Sequence, residues 1–408
     1  MKKIELLAPA GDLEKLKTAV DFGADAVYFG GRNFGLRSAA GNLDLQEIRE
    51  GLDYLHERGK KGYLTLNIFA HNEDLEPMKR FLEELKKTAV PDAFLVTDPG
   101  VMSILRSIIS DAEIHLSTQA STTNKASAAF WHGLGVKRIV LARELSLSEI
   151  REIIDAAPEG LEFEAFVHGA MCISYSGRCL LSSFLIQRDA NRGECAQPCR
   201  WKYALTEEQR PGEYFPIEED ERGAYILNSK DLCMIGHLPE LIESGLCSLK
   251  IEGRMKSSFY VASVVHAYRL AIDEYYDDPE NYKLKDEWLD ELLKVSHRQF
   301  TTGFFFDKPS SESQNYLSSQ YVRDYDYTGN ILGYDEDTCL ATVEQRSKMV
   351  VGQEIEIFGP FADFFVQKIE EMYDLDGNPI ESCPHPKEII KIRTDRPVKP
   401  GWLMRRQK

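Results

Sequence analysis

Five cysteines lie close together in the middle of this 408-residue sequence. Four follow the pattern C-x6-C-x15-C-x3-C and the fifth lies in the motif SKDLC; they are Cys172, Cys179, Cys195, Cys199 and Cys233. Four thiolates from one segment suit Zn²⁺ or an iron–sulfur cluster. Zinc knuckles generally use tighter C-x2-C pairs, so the spacing favours a cluster. The alternative is that individual cysteines are small buried hydrophobic residues, as we expect for Cys247, Cys339 and Cys383.

Charged residues near the ends of two apolar runs are the next candidates for chemistry. His168 ends one run and Glu164 lies four residues earlier, which predicts both side chains on one side of a strand. In KIEGRMK, the side chains of Lys250, Glu252 and Arg254 share one strand face. Three charges on an inward strand face are difficult to explain as solvated surface. We therefore predict His168, Glu164, Lys250 and Glu252 as catalytic candidates, although His168 is equally compatible with a packed core histidine.

These residues need a scaffold, and the sequence indicates one. Eight apolar and β-branched runs alternate with amphipathic stretches; they cover residues 4–11, 26–31, 62–69, 93–100, 113–119, 138–144, 163–169 and 247–253. Alternation of strand and helix predicts parallel βαβ units. Eight such units predict an α/β fold of the (β/α)8 TIM-barrel type, with an open doubly wound sheet as the rival.

The spacing of these units is regular except after the seventh strand. We expect a TIM-type barrel over residues 1–280 with a Cys-rich insertion over 170–230, and a helix and connector over 281–320. Short alternating strands then predict a small C-terminal β-barrel domain over 321–408. Insertions after a barrel strand lie at the C-terminal face, where TIM-barrel enzymes have their active sites. The predicted site therefore combines the insertion with the strand ends.

Charge and hydropathy limit the classes of function. The sequence has 49 Lys and Arg against 66 Asp and Glu, a net charge of −17. This balance argues against a protein that coats nucleic acid nonspecifically, although the stretch from Lys387 onward is locally basic, with eight Lys and Arg. No segment has the apolar length of a signal peptide or a bilayer span. We expect a cytoplasmic protein with no membrane partner, in which thiols stay reduced.

Long motifs around the candidate residues resemble the peptidase U32 family. They are EAFVHGAMCISYSGRCLLSS, NRGECAQPCRWKY and the stretch from LNSKDLC to KIEGR, together with the N-terminal ELLAPAGDLEKLKTAVDFGADAVYFGG. The chain from YDYTG onward is similar to the common C-terminal domain of that family. The length and the C-terminal domain most resemble the bacterial tRNA 5-hydroxyuridine proteins within it.

The resemblance implies two kinds of function. Some members of the family are described as collagenase-like proteases. Others are oxygen-independent hydroxylation proteins that act on tRNA wobble uridine with prephenate, on ribosomal RNA cytidine or on ubiquinone precursors, and these carry a 4Fe-4S cluster held by four cysteines. By similarity, the ligands here are Cys172, Cys179, Cys195 and Cys233, with Cys199 as the alternative ligand. The implied function is C5 hydroxylation of tRNA wobble uridine with prephenate as the hydroxyl source. The implied partners are tRNA and, as in some relatives, a second chain of the family.

A dicarboxylate such as prephenate calls for guanidinium partners, because arginine grips a carboxylate with two parallel hydrogen bonds. Arg254, Arg178 and Arg200 are the nearest arginines in the sequence and are predicted to bind substrate. The small C-terminal domain with its basic tail is then the natural module for holding tRNA.

A uridine substrate must enter the barrel mouth apart from its neighbours and stack on aromatic side chains. Asn67 and Gln119, at the ends of the third and fifth predicted strands, are candidates for reading a base edge or a substrate carbonyl, or else they satisfy local backbone groups. The aromatic candidates are Tyr28, with Tyr175, Trp201 and Tyr203 also available, although aromatic side chains at such positions more often pack than stack on a base.

A peptidase with a cysteine or metal mechanism is the alternative function. The sequence contains no HExxH zinc motif and no GxSxG nucleophile elbow. Cys172 and His168 could form a thiol–imidazole pair. One nucleophilic cysteine does not require three more around it, whereas a metal cluster explains the group together, so we favour hydroxylation. A scaffold that only binds is the third class.

Overall fold

The computed structural model describes residues 3–32, 34–35, 41–172, 174–175, 178–201, 204–205, 215–216, 230–306, 321–361 and 364–408. The strands of its first part are β1 (Glu5–Ala10), β2 (Ala26–Gly30), β3 (Lys61–Leu66), β4 (Ala93–Val96), β5 (Ile114–Leu116), β6 (Arg138–Val140), β7 (Glu162–Ala170), β8 (Ala204–Leu205), β9 (Phe215–Pro216), β10 (Asp231–Cys233), β11 (Ser248–Ile251) and β12 (Phe300–Thr301).

Eight of these strands close into a parallel barrel. β1 to β7 pair in sequence order, and β11 pairs in parallel with both β1 and β7, which closes the ring. The strands are short apolar runs buried on both faces, as parallel strands covered by helices must be; β2 is buried at every residue. The predicted TIM-type barrel is confirmed.

Helices surround the barrel. They are α1 (Leu13–Asp21), α2 (Leu45–His56), α3 (Asn72–Thr88), α4 (Pro99–Ile108), α5 (Lys125–Gly133), α6 (Leu147–Asp155), α7 (Leu181–Ile186), α8 (Leu238–Glu243), α9 (Ser258–Asp277) and α10 (Asp286–Lys294). Their ends follow local sequence signals: the Asp12 side chain accepts a hydrogen bond from the Lys15 backbone at the start of α1, and Gly23 follows its end with a φ of +107°. None of the described helices is long and apolar enough to cross a membrane.

The chain leaves the barrel after β7 and returns at β10. β10 runs antiparallel to β7, with Cys233 opposite His168, and β12 pairs with β10 on its other side. α7, the β8–β9 pair and short 3₁₀ turns at Ala190–Arg192 and Pro198–Arg200 lie in this excursion. Because it follows the carboxyl end of β7, the excursion lies at the mouth of the barrel, where the sequence placed the cysteines.

The last part of the chain is an antiparallel, strand-rich domain with a hydrophobic core of its own. Its main sheet has the order β17-β16-β21-β13-β14-β20-β18, and β15 pairs with β19. The strands are β13 (Tyr325–Asp335), β14 (Leu340–Gln345), β15 (Met349–Val350), β16 (Glu354–Phe358), β17 (Phe365–Lys368), β18 (Met372–Tyr373), β19 (Ser382–Cys383), β20 (Ile389–Arg393) and β21 (Leu403–Gln407).

A buried arginine fastens this domain to the barrel. Arg405 on β21 is fully buried and donates to both carboxylate oxygens of Glu291 on α10, at 2.6 and 2.7 Å. It also donates to Glu356 on β16 at 2.6 Å. Phe259 of α9 stacks on Tyr327 of β13, with ring centroids 5.8 Å apart. α9 is therefore buried on most of its surface, because the barrel covers one side and the second domain another.

Candidate active site at the barrel mouth

A buried network of charges fills the lower part of the barrel. The Nζ atom of Lys250 on β11 lies 2.7 Å from Oε1 of Glu164 on β7, and both side chains are almost fully buried. Arg138 at the start of β6 lies 3.4 Å from Glu164, and it also contacts Glu5 at 2.5 Å and Glu162 at 2.8 Å. Glu164 therefore belongs to an interior ion network and lines neither cavity described below.

Electrostatics keep this network charged. Burial alone would raise the pKa of Glu164, but the nearby positive charges of Lys250 and Arg138 hold it below its ordinary value. Burial lowers the pKa of Lys250, and the carboxylate of Glu164 opposes that shift. The two groups thus stabilise each other as an ion pair.

His168 does not face the barrel interior with Glu164. The register between β7 and β11 shifts, so that Lys250 lies opposite Phe166 and Ile251 lies opposite His168. The extra residue is Val167, and such a bulge reverses the side on which the following side chains lie. The prediction that Glu164 and His168 share one side of the strand is therefore wrong.

The surroundings of His168 are those of a packed residue. Its ring lies 5.5 Å from Tyr268 and 6.1 Å from Tyr260, both on α9, and 5.7 Å from Phe300. Burial lowers the pKa of His168 to about 3, with smaller contributions from Lys256 and His297. The imidazole is therefore neutral at pH 7, outside the barrel interior.

An inner cavity of about 60 Å³ occupies the barrel mouth above the ion network. Six of the residues predicted from the sequence line it: Tyr28, Asn67, Gln119, Lys250, Glu252 and Arg254. They come from the carboxyl ends of β2, β3, β5 and β11 or from the turns that follow. The structure thus brings together side chains that are up to 226 residues apart, as Tyr28 and Arg254 are.

The polar groups of the inner cavity are partly engaged with one another. The Asn67 amide donates to Ser117 at 3.2 Å and to the Gln119 carbonyl at 3.4 Å. The Lys250 ammonium lies 4.5 Å from the centre of the Tyr28 ring, and the Tyr28 hydroxyl donates to the Ile251 carbonyl at 2.9 Å. Tyr28 is therefore a wall of the cavity and is poorly placed to stack on a base.

Arg254 is fixed at the rim of the inner cavity. It is buried and donates to Asn42 and, at 3.3 Å, to Thr65. Its guanidinium passes so close to Gly30 that a Cβ atom there would lie 2.1 Å from Nη2. Glycine at the end of β2 is thus required for Arg254 to reach its partners.

An outer cavity of about 360 Å³ lies between the barrel mouth and the cysteine-bearing excursion. Four cysteines line it: Cys172, Cys179, Cys195 and Cys199. Thr118, Gln119, Arg143 and Glu252 line both cavities, so the two spaces adjoin. A ligand large enough to extend from one into the other would contact cysteines at one end and Asn67 or Lys250 at the other.

The fifth cysteine lies apart from this outer cavity. Cys233 on β10 is opposite His168 in the sheet and does not line either cavity. Burial raises its pKa to about 11, while hydrogen bonds from the Ile235 backbone and the Tyr268 hydroxyl oppose that shift.

The thiols suit a soft metal centre in their chemistry and number. Within the part of the chain that the structure describes, however, no three Cys, His, Asp or Glu side chains are arranged to hold a metal ion. The described arrangement therefore shows the chemical donors for such a centre but no ligand geometry for it.

One predicted arginine is not brought into the site. Arg178 is exposed and lines neither cavity. The side chain of Arg200 and all of Tyr203 lie outside the described residues. Tyr175 and Trp201 are described and exposed, at 52% and 45%.

One arginine of the site was not predicted from the sequence. Arg143, just after β6, lines both cavities. Its signal was present, since it directly follows the apolar run RIVLA at the carboxyl end of a barrel strand, where TIM barrels place functional side chains.

Carboxylates from elsewhere neutralise part of the basic C-terminal stretch. Four of its eight cations form ion pairs: Arg393 with Glu371, Arg405 with Glu291, and Arg406 and Lys408 with Asp326. The positive charge available at this stretch is therefore smaller than the sequence count indicates.

Two family models match the chain, that of peptidase family U32 over residues 11–315 and that of the peptidase family U32 C-terminal domain over residues 323–405. The tRNA hydroxylation protein P1 of Bacillus subtilis is 44% identical, over 100% of this chain and 96% of its own length. The tRNA hydroxylation protein P of Escherichia coli is 37% identical, over 94% of this chain and 92% of its own length. A collagenase of Porphyromonas gingivalis is 31% identical, over 91% of this chain and 90% of its own length. The chain belongs to peptidase family U32.

Proposed function

We propose that this protein is an RNA-modifying enzyme that hydroxylates C5 of a tRNA wobble uridine without oxygen. The similarity to two tRNA hydroxylation proteins over nearly the whole chain carries this proposal. The site is compatible with it, because a polar inner cavity adjoins a larger cavity lined by cysteines. Under this proposal tRNA is the partner, a second chain of the family is a further partner, and the protein acts in the cytoplasm.

The cofactor of the proposed reaction is a 4Fe-4S cluster, with Zn²⁺ as the alternative metal. Cys172, Cys179 and Cys195 would hold it together with Cys233, and Cys199 is the alternative fourth ligand. Similarity to the family favours Cys233, whereas the lining of the outer cavity favours Cys199. When bound, the cluster would supply a redox or Lewis-acid centre at the barrel mouth.

The chain's own groups would position the base and the hydroxyl donor, for which we propose prephenate. The amides of Asn67 and Gln119 offer both donors and acceptors, and a uracil edge presents the complementary set. Glu252 lines both cavities, and its carboxylate would transfer the proton there. The positive charges of Lys250 and Arg254 lie at the wall of the inner cavity, where they would attract a dicarboxylate.

A U32-type peptidase is the competing function, since a collagenase is among the relatives. The predicted cysteine–histidine pair finds no support in the geometry. Cys172 lines the outer cavity, whereas His168 packs against α9, and no hydrogen bond joins these two described residues. A peptidase would need another pair of nucleophile and base.

Genetic complementation tests the function. A strain that lacks the gene would be complemented with the wild-type protein, with Glu252→Gln, or with Glu152→Gln as the matched control on the surface of α6. We expect 5-hydroxyuridine-derived nucleosides in tRNA hydrolysates with the wild type and the control, and their loss with Glu252→Gln. Unmodified tRNA in the strain complemented by the wild type would contradict the proposal.

Cofactor analysis tests the ligand set. The protein would be purified without oxygen and assayed for iron, sulfide, zinc and visible absorption, alone and with one cysteine replaced at a time. About four irons per chain, lost with Cys233→Ala and kept with Cys199→Ala, would support Cys233 as the fourth ligand. The reverse pattern would assign Cys199, and a protein without iron in every preparation would contradict the cluster.

A further inference from the structure

Arg143 stands where the inner and outer cavities meet, and two contacts fix the orientation of its guanidinium group. The Nη1 atom donates to the backbone carbonyl of Ala170, the last residue of β7, at 2.9 Å. The central carbon lies 4.1 Å from the centre of the Phe166 ring. The group is thus held by one edge and covered on one face.

The opposite edge of this guanidinium includes a donor that no described residue satisfies. The Nε atom of Arg143 is buried and has no hydrogen-bond partner among the described residues. The Nε and Nη2 donors point in one direction, away from Nη1, and form the fork that matches the two oxygens of a carboxylate. A buried donor left unpaired costs about 1–3 kcal/mol, so an acceptor that enters the cavity and pairs with Nε recovers that free energy.

The surrounding cavity is positively charged although the protein is acidic. Arg188, Lys256 and Arg323 line the outer cavity with Arg143, and Glu252 is the carboxylate among the described lining residues. The chain as a whole carries a net charge of −17. Concentrating cations in one concave site of such a protein attracts a small anion.

We propose that Arg143 binds the carboxylate of a small organic acid through its Nε–Nη2 edge. Because Phe166 covers one face of the guanidinium, a planar group that approaches in the guanidinium plane fits best, and a carboxylate has that shape. This inference rests on the proposed function, whose hydroxyl donor is a dicarboxylate. It assigns the recognition of that donor to a residue at the end of β6.

Calorimetric titration of the full-length protein, purified without oxygen and without tRNA, tests the proposal. Prephenate is titrated into the wild type, Arg143→Gln, Arg143→Lys and the control Arg151→Gln, whose side chain is exposed on α6. Both Arg143 variants are expected to bind prephenate roughly ten- to a hundredfold more weakly, and the control is expected to bind as the wild type. Wild-type affinity in either Arg143 variant would overturn the proposal, because lysine keeps the charge and lacks the fork.

Inorganic phosphate is the second probe. If the wild type binds phosphate through Arg143 and does not bind prephenate, the carboxylate assignment is overturned. The titration contains no tRNA, so it tests prephenate binding separately from RNA hydroxylation. If prephenate binds through Arg143 but the protein hydroxylates no RNA, the proposed function is refuted and this inference stands.

A measurement on the wild type covers the case in which the variants are misfolded, since Arg143 also holds Ala170. Phenylglyoxal modifies accessible arginines, and peptide mass spectrometry locates the modified residues. Prephenate is expected to protect Arg143 and to leave Arg151 reactive. Equal modification of Arg143 with and without prephenate would overturn the proposal.

Discussion

Removing the ammonium group of Lys250 tests the buried ion network most sharply. Lys250→Met keeps the length of the side chain and leaves the carboxylate of Glu164 without its partner at 2.7 Å. Losing one member of a buried ion pair costs about 3–5 kcal/mol. Arg138 remains 3.4 Å from Glu164 but is shared with two other carboxylates, so we expect a loss near the lower end, about 3 kcal/mol of unfolding free energy.

The assay is denaturant unfolding at pH 7 under reducing conditions, followed by a double-mutant cycle. Adding Glu164→Gln removes the unpaired charge. The double variant should therefore lose about 1–3 kcal/mol less unfolding free energy than the two single variants lose together. The matched surface control is Lys125→Met, whose partner Glu152 lies 3.3 Å away with both side chains more than half exposed. That change should cost under about 1 kcal/mol. Equal losses for Lys250→Met and Lys125→Met, or strict additivity in the cycle, would refute the reasoning.

Three further predictions concern stability and the rim of the site. Burial raises the pKa of Glu164, but the charges of Lys250 and Arg138 lower it by more, so that it lies below its ordinary value of 4.5. The stabilisation that the Glu164 carboxylate gives the folded state is therefore present above pH 4.5 and is lost as the pH falls through the lowered pKa. Glu164→Gln should accordingly flatten the pH dependence of the unfolding free energy in acid. Gly30→Ala should displace Arg254 and weaken prephenate binding, whereas Gly133→Ala at the end of α5, where nothing lies within 4 Å and φ is not positive, should leave binding unchanged. Arg405→Met should increase proteolysis between the barrel and the C-terminal domain, because it removes the buried ion pair with Glu291 that links them. Unchanged proteolysis would contradict this role of Arg405.

The barrel was predictable because its signals are local. Eight apolar runs separated by capped helices are visible in the sequence, and each became a barrel strand. Closure of the barrel then brings the ends of β2, β3, β5 and β11 together whatever their separation in the chain. This is why the sequence alone predicts that Asn67, Gln119, Lys250 and Glu252 lie at the same end of the barrel.

The errors came from features without a local signal. The bulge at Val167 depends on the pairing of β7 with β11, and it turned His168 away from Glu164. The partners that neutralise the basic stretch are distant in sequence; Arg405 and Glu291 are 114 residues apart. The free edge of Arg143 arises from its contacts with Ala170 and Phe166, which only the folded barrel brings together.

The most direct test of the account uses the purified protein with its proposed substrates. Protein prepared without oxygen would be incubated with prephenate and with tRNA from a strain that lacks the gene, and the tRNA nucleosides would then be analysed by mass spectrometry. We predict that one uridine gains the mass of one oxygen atom, and that omitting prephenate abolishes the gain. Unchanged tRNA together with cleavage of a gelatin or collagen peptide by the same preparation would contradict it and identify the protein as a peptidase.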